Sequence, residues 1–224
     1  MSEIDHDPGL RRLNTPRSAA VAGILFALLF GTSLILLRTA LPTEPGGGTA
    51  WLDESATQLK VSLTLMPFAG IAFLWLIGVI RDRLGDYEDR FFATVFLGSG
   101  LLFLAMVFVS TAIAGALLAT ASAAQGTQAL DSDVIDFGRL VMVQISNVYA
   151  LRMAGVFMIS LATIWLRTGL MPRWLTVISY VIALTLLVVT TLSAWVTLLF
   201  PAWALAISIL LLLRHPARTA GQAP

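Results

Sequence analysis

One charged residue stands clearly inside an apolar run of this chain. Arg152 lies 14 residues before Leu166, the end of that run, which places it about 21 Å from the boundary at 1.5 Å per residue. A basic side chain at that depth costs about 2.5 kcal/mol or more unless water, carbonyl oxygens or an anion compensates it. Gln144, Asn147 and Arg152 fall within about 140° of helix circumference, with Gly155 between them. One face of this segment therefore reads as polar. A guanidinium offers five donors in a planar fork that matches a carboxylate or a phosphate. The chemistry expected of Arg152, Gln144 and Asn147 is capture of an anionic or polar ligand. The alternative is structural: the side chain snorkels to the interface or binds carbonyls of a neighbouring helix. Ser110, Thr111, Asp53 and Glu54 are the candidate protein partners.

Other chemistries lack their residues. The chain has no cysteine, which excludes disulfides, thiolate nucleophiles and Cys-ligated metal. Its two histidines, His6 and His215, stand near the two ends, so no bis-histidine haem or Ser–His pair is expected among the apolar runs. All thirteen carboxylates fall outside those runs, which weakens a proton- or sodium-coupled carrier mechanism. Gly98-Ser99-Gly100 resembles a rhomboid-type serine motif only superficially, and without a nearby histidine it reads as a packing notch. Asp82, Asp86 and Asp89 interleave with Arg81, Arg83 and Arg90, a pattern of self-paired solvated charges rather than a metal site. Neither metal nor cofactor is expected.

The elements that must position Arg152 follow from composition. Of 224 residues, 58% are hydrophobic and 12% charged, with a mean hydropathy of +0.87. Soluble domains carry about 25% charged residues, so this chain is solvated by lipid. Disorder and nucleic-acid binding are excluded on the same ground. Four apolar runs are long enough for a roughly 30 Å hydrocarbon layer: Ala19–Leu37, Val61–Ile80, Phe91–Ala119 and Leu140–Leu166. A fifth block, Trp174–Leu213, has 40 residues without a charge and would extend about 60 Å as one helix. It must fold back.

Basic residues orient these runs. Ten arginines (Arg11, Arg12, Arg17, Arg81, Arg83, Arg90, Arg167, Arg173, Arg214 and Arg218) share one side only if the last block crosses twice. The opposite loops then hold Arg38, Lys60 and Arg139 with six carboxylates. Six spans with both termini cytoplasmic is the expected topology. Trp75, Trp165 and Trp174 fall near cytoplasmic ends, Trp51 and Trp195 near outer ends, as an interfacial aromatic belt would place them. The last turn is expected at Thr190–Trp195 with Pro201 as a kink. The expected divisions are a cytoplasmic tail 1–18, spans near 19–38, 61–80, 91–120, 139–166, 174–191 and 195–213, and a cytoplasmic tail 214–224.

Between spans, Pro42 to Thr49 with Gly46-Gly47-Gly48 reads as a hinge, and Thr49 could cap a short helix from Trp51 to Lys60. The third and fourth helices are longer than a bilayer needs, so both should project outward as a hairpin tipped by Gln125–Asp131. In the first helix, Ala19, Gly23, Ala27 and Gly31 recur every four residues, a small-residue stripe that admits another helix closely. Leu25, Leu28 and Leu29 should then flank the contact or face lipid. The length of the first apolar run and the absence of a small-x-small site after it argue against a cleaved signal peptide.

Gly78-Val79-Ile80-Arg81-Asp82-Arg83-Leu84-Gly85 resembles the start of the signature loop of the major facilitator superfamily, G-x-x-x-D-R-x-G. It stands between the second and third spans on the expected cytoplasmic side, as that signature does. Arg152 in the fourth span is likewise similar to an arginine of many proton-coupled members. The chain departs from the pattern in three ways. Asp86-Tyr87 replaces the closing basic pair, Gly155 follows Arg152 at three residues rather than four, and six spans stand where the superfamily has twelve. The whole chain looks more like a six-span bacterial integral membrane family, a resemblance that implies no activity. Thirteen arginines against one lysine fit a GC-rich bacterial genome.

These readings converge on an all-α, polytopic membrane protein, a bundle of six transmembrane helices in a bacterial cytoplasmic membrane. The expected role is non-enzymatic: an outer-leaflet pocket around Arg152 holds an anionic lipid or polar solute, or docks a partner. A small transporter acting as a homodimer is the rival. A lipid-modifying enzyme using loop carboxylates such as Asp53, Glu54 and Asp131 comes third. The expected partners are the lipid bilayer, an anionic lipid or small solute and a second copy in a homo-oligomer, and nucleic acid is not expected.

Overall fold

A computed structural model describes residues 15–41, 50–84, 90–124, 132–169, 171–188 and 194–214, and among these it contains helix and no strand. In chain order the helices are α1 (Thr15–Ala40), α2 (Ala50–Glu54), α3 (Ala56–Leu84), α4 (Arg90–Ala124), α5 (Ser132–Gln144), α6 (Leu151–Thr168), α7 (Arg173–Val188) and α8 (Leu199–Arg214). A π-helical segment, Ile145–Ala150, joins α5 to α6, and a 3₁₀ segment, Ala194–Leu198, precedes α8. Five helical stretches are long and apolar enough to cross a membrane: Ser18–Ala40, Ala56–Asp82, Phe91–Ala123, Asp133–Thr168 and Trp195–Leu213. The apolar α7 has 16 residues and is about 24 Å long.

Side-chain contacts give the relative directions. Ser33 meets Ser62 and Phe26 meets Phe73, so α1 and α3 run antiparallel. Gly70 faces Phe108 and Gly100 faces Ile77, which sets α4 antiparallel to α3. Ser110 reaches Met142 and Phe96 stacks on Phe157, so the α5–α6 rod returns along α4. Thr163 meets Tyr180 while Gly155 faces Leu187, reversing α7 on α6. Gly23 faces Ser208 and Gly31 faces Pro201, laying α8 back along α1.

Lipid tails are as apolar as leucine, so close packing rather than hydrophobicity joins these helices. The inner core is aromatic. Phe26, Phe73, Phe103 and Phe200 interlock with ring centroids 4.7–6.0 Å apart, and Phe157 stacks on Phe96 at 4.6 Å. Such pairs contribute about 0.5–1.5 kcal/mol each beyond their burial. Trp203 closes this cluster, and its Nε1 donates to Ser179 Oγ at 2.9 Å, tying α8 to α7. Between α1 and α3 the buried Ser33 and Ser62 hydroxyls lie 2.7 Å apart, and each also reaches the other's carbonyl oxygen at 2.9 Å. A second, smaller core lies at the other end of α1. It packs Leu37 with Trp51 and Leu52 of α2, Leu59 of α3, Leu117 and Ala121 of α4, and Ile135 of α5. The α4–α5 arm thus projects past the aromatic core and is held by α2.

Several expectations change. Trp165 and Trp51 are buried, the first beside Trp203 and the second in the smaller core, so neither belongs to an interfacial belt. Trp75, Trp174 and Trp195 are exposed. Pro201 stands just after the change from the 3₁₀ segment to α8. It sits in the first turn of α8, where its missing N–H is not needed. The expected short helix before the second span is broken at Ser55 into α2 and α3. Between α6 and α7, Gly169 takes φ +66° and its N–H bonds Trp165 O at 2.9 Å, an αL cap that Pro172 follows. The triglycine hinge, the loop tip Gln125–Asp131 and both chain ends lie outside the described residues, as does most of the turn expected at Thr190–Trp195.

Candidate functional site

In an α-helix each Cα–Cβ bond leans toward the N-terminus. This decides where the polar side chains of the bundle go. Arg38 stands in the last turn of α1, so its stem leans back along the helix into the bundle. There its Nη2 donates to Asn147 Oδ1 in the π segment. Arg38 is therefore not a loop residue, as its place after the apolar run suggested. Around this pair, Leu34, Leu37, Ser110, Met142 and Ser146 enclose a cleft with room for about one water molecule.

Asn147 is thus in the bundle, while Gln144 is exposed and does not line that cleft. Arg152 does not line it either. The π segment is the reason. Its i→i+5 bonding breaks the 100° register between Gln144 and Arg152, so the three residues do not share one face as a uniform helix would place them. Ser110 Oγ donates to Met142 O at 3.0 Å and Thr111 Oγ1 to Val107 O at 2.7 Å. Both hydroxyls are satisfied there rather than by Arg152. Glu54 is exposed, and the side chains of Asp53 and Asp131 lie outside the described residues.

Arg152 is half-buried on α6, two residues past the π segment, on a stripe with exposed Tyr149 and partly exposed Val156, Ile159 and Thr163. No hydrogen bond or ion pair joins it to another described residue. A Cβ on Gly155 would touch Ala183 O at 3.0 Å and Leu187 Cγ at 3.1 Å, so α7 lies close beside α6 here. One residue past Leu187, at Val188, α7 ends. Arg152 is thus level with the last described turn of α7, its stem leaning toward the N-terminal end of α6.

The small-residue stripe of α1 faces protein. Ala19 and Ala27 are buried, a Cβ on Gly23 would fall 1.9 Å from Ser208 Oγ, and Gly31 has Pro201 Cβ 3.8 Å away. Leu25 and Leu28 are exposed, whereas Leu29 packs partly against the core. Ser99 Oγ is bonded to Val95 O at 2.6 Å and Phe96 O at 3.2 Å, so it caps its own helix backbone. Among the described residues no three His, Asp or Glu side chains converge as a metal site would need.

Sequence reasoning missed Arg38. Its signal was available in its position, two residues before the end of the first long helix, where the side chain leans back along the helix. No protein-family model, curated protein or solved structure matches this chain.

Proposed function

We propose that this chain is a six-crossing membrane protein of a bacterial cytoplasmic membrane, both ends cytoplasmic, that holds the anionic headgroup of an outer-leaflet lipid at Arg152. The alternating helix directions support an even number of crossings, with α7 as the short one. The ten-to-three division of basic residues supports the orientation.

The observation that carries the binding role is the position of Arg152: half-buried in a span, level with the last described turn of α7, and without a protein partner among the described residues. In the proposed orientation the N-terminal end of α6 faces outward. The guanidinium then snorkels toward the outer headgroups, and a phosphate satisfies the donors that no described protein group takes. The interlocked phenylalanines fill the space between α1, α3, α4 and α8, which favours binding at the lipid-facing side over passage through the monomer.

Purification in native lipid followed by mass spectrometry tests this. The wild-type protein should carry an anionic lipid that a folded Arg152→Gln variant loses. Undiminished occupancy in that variant would reduce Arg152 to a structural residue.

A further inference from the structure

A groove of about 230 Å³ runs between the C-terminal end of α3 and the first half of α4, lined by Arg81, Ala93, Thr94, Leu97, Gly98 and Leu101. We propose that it holds a net-anionic glycerophospholipid, with the phosphate on Arg81 and part of one acyl chain along Ala93, Leu97 and Leu101. This site is at the opposite end of the bundle from Arg152 and rests on different observations. Its leaflet is the cytoplasmic one in the orientation proposed above.

The two glycines of Gly98-Ser99-Gly100 separate the functions of packing and binding. A Cβ on Gly100 would meet Ile77 Cδ1 at 2.8 Å and the Phe157 ring at 3.1 Å, so this glycine is needed for α3 and α6 to approach α4. A Cβ on Gly98 would meet nothing within 4 Å. Glycine inside a helix is less favourable than alanine by about 0.8–1.0 kcal/mol, and at Gly98 no contact among the described residues requires it. What its absent side chain does leave is the floor of the groove.

Arg81 supplies the charge. It is exposed, it is the one charged residue on the lining, and no ion pair joins it to another described residue. Its stem leans back from the last turn of α3 over the groove rather than away from it. Leu101 and Phe91 on this side of α4 are exposed, so in a bilayer the groove opens to acyl chains. The volume is too small for a whole lipid and suits a stretch of chain beneath a headgroup. A basic group between helices at the cytoplasmic interface is suited to an anionic headgroup.

The test uses full-length protein in the Arg152→Gln background, which removes any lipid held at the outer site. Phosphatidylglycerol and phosphatidylcholine of identical acyl chains are supplied in equal amounts, and the lipid retained after collisional activation is read by native mass spectrometry. The parent should retain phosphatidylglycerol preferentially, and Arg81→Gln should lower that preference about fivefold. Gly98→Leu should abolish retention, whereas Gly78→Leu, at an equally open glycine outside the groove, should leave it unchanged. An unchanged preference in Arg81→Gln overturns the proposal, as does equal behaviour of the two leucine variants. Arg81 is exposed, so its variant decides the matter even if Gly98→Leu fails to fold.

Discussion

Arg38 Nη2 donates to Asn147 Oδ1 across 109 residues of sequence, joining the last turn of α1 to the π segment of the fourth long helix. The bond lies between the aromatic core and the smaller core that holds the α4–α5 arm. It gives the first helix a polar attachment where the arm departs, and Ser110 adds a second through Met142 O.

Removing the acceptor should leave a half-buried guanidinium without its partner. Asn147→Leu is expected to lose about 1–2 kcal/mol in reversible unfolding from mixed micelles. Asn147→Asp keeps an acceptor and should stay near wild type. A double-mutant cycle with Arg38→Met should show positive coupling. Independent, additive losses would mean that the two side chains do not bond.

The stripe on α1 predicts a contrast between Gly23 and Gly31, about two helical turns apart. Gly23→Ala drives a methyl into Ser208 Oγ, at 1.9 Å, with Leu76 Cδ1 at 3.3 Å behind it. It should lower stability by about 1–3 kcal/mol. Gly31→Ala meets only Pro201 Cβ at 3.8 Å and should be neutral or up to about 1 kcal/mol stabilising. Thermal unfolding in detergent checks the pair, and the reverse order would place α8 elsewhere.

Trp203 is the link between α7 and α8. Trp203→Phe keeps the ring packing on Phe200 but loses the 2.9 Å bond to Ser179 Oγ, while Ser179 keeps its own bond to Leu175 O. A loss of about 1 kcal/mol is expected. Ser179→Ala should cost a similar amount, and the double variant little more. Strict additivity in equilibrium unfolding would contradict a shared bond.

The long helices were legible because lipid demands long apolar runs. Ala19–Leu37 and Leu140–Leu166 lie within Ser18–Ala40 and Asp133–Thr168. Counting residues past a bilayer's thickness also marked the third and fourth long helices as longer than a bilayer needs, and they run 33 and 36 residues. Helix faces were harder to read. Where every face is apolar, hydropathy does not separate a core tryptophan such as Trp165 from a lipid-facing one such as Trp75. Small residues carried that information instead, at Gly23 and Gly100. The π segment Ile145–Ala150 has no local composition that marks it. Without it, arithmetic at 3.6 residues per turn grouped Gln144 and Asn147 with Arg152.

The central claim is that Arg152 opens to the outer side of a six-crossing chain. The chain has no cysteine, so single cysteines introduced at Gly47, Gly85, Arg152 and Ser193 can be labelled without background. A membrane-impermeant maleimide added from outside intact cells should label Gly47→Cys, Ser193→Cys and Arg152→Cys, and leave Gly85→Cys unreacted. Labelling of Gly85→Cys from outside, or an Arg152→Cys that reacts only from the cytoplasmic side, would contradict the account.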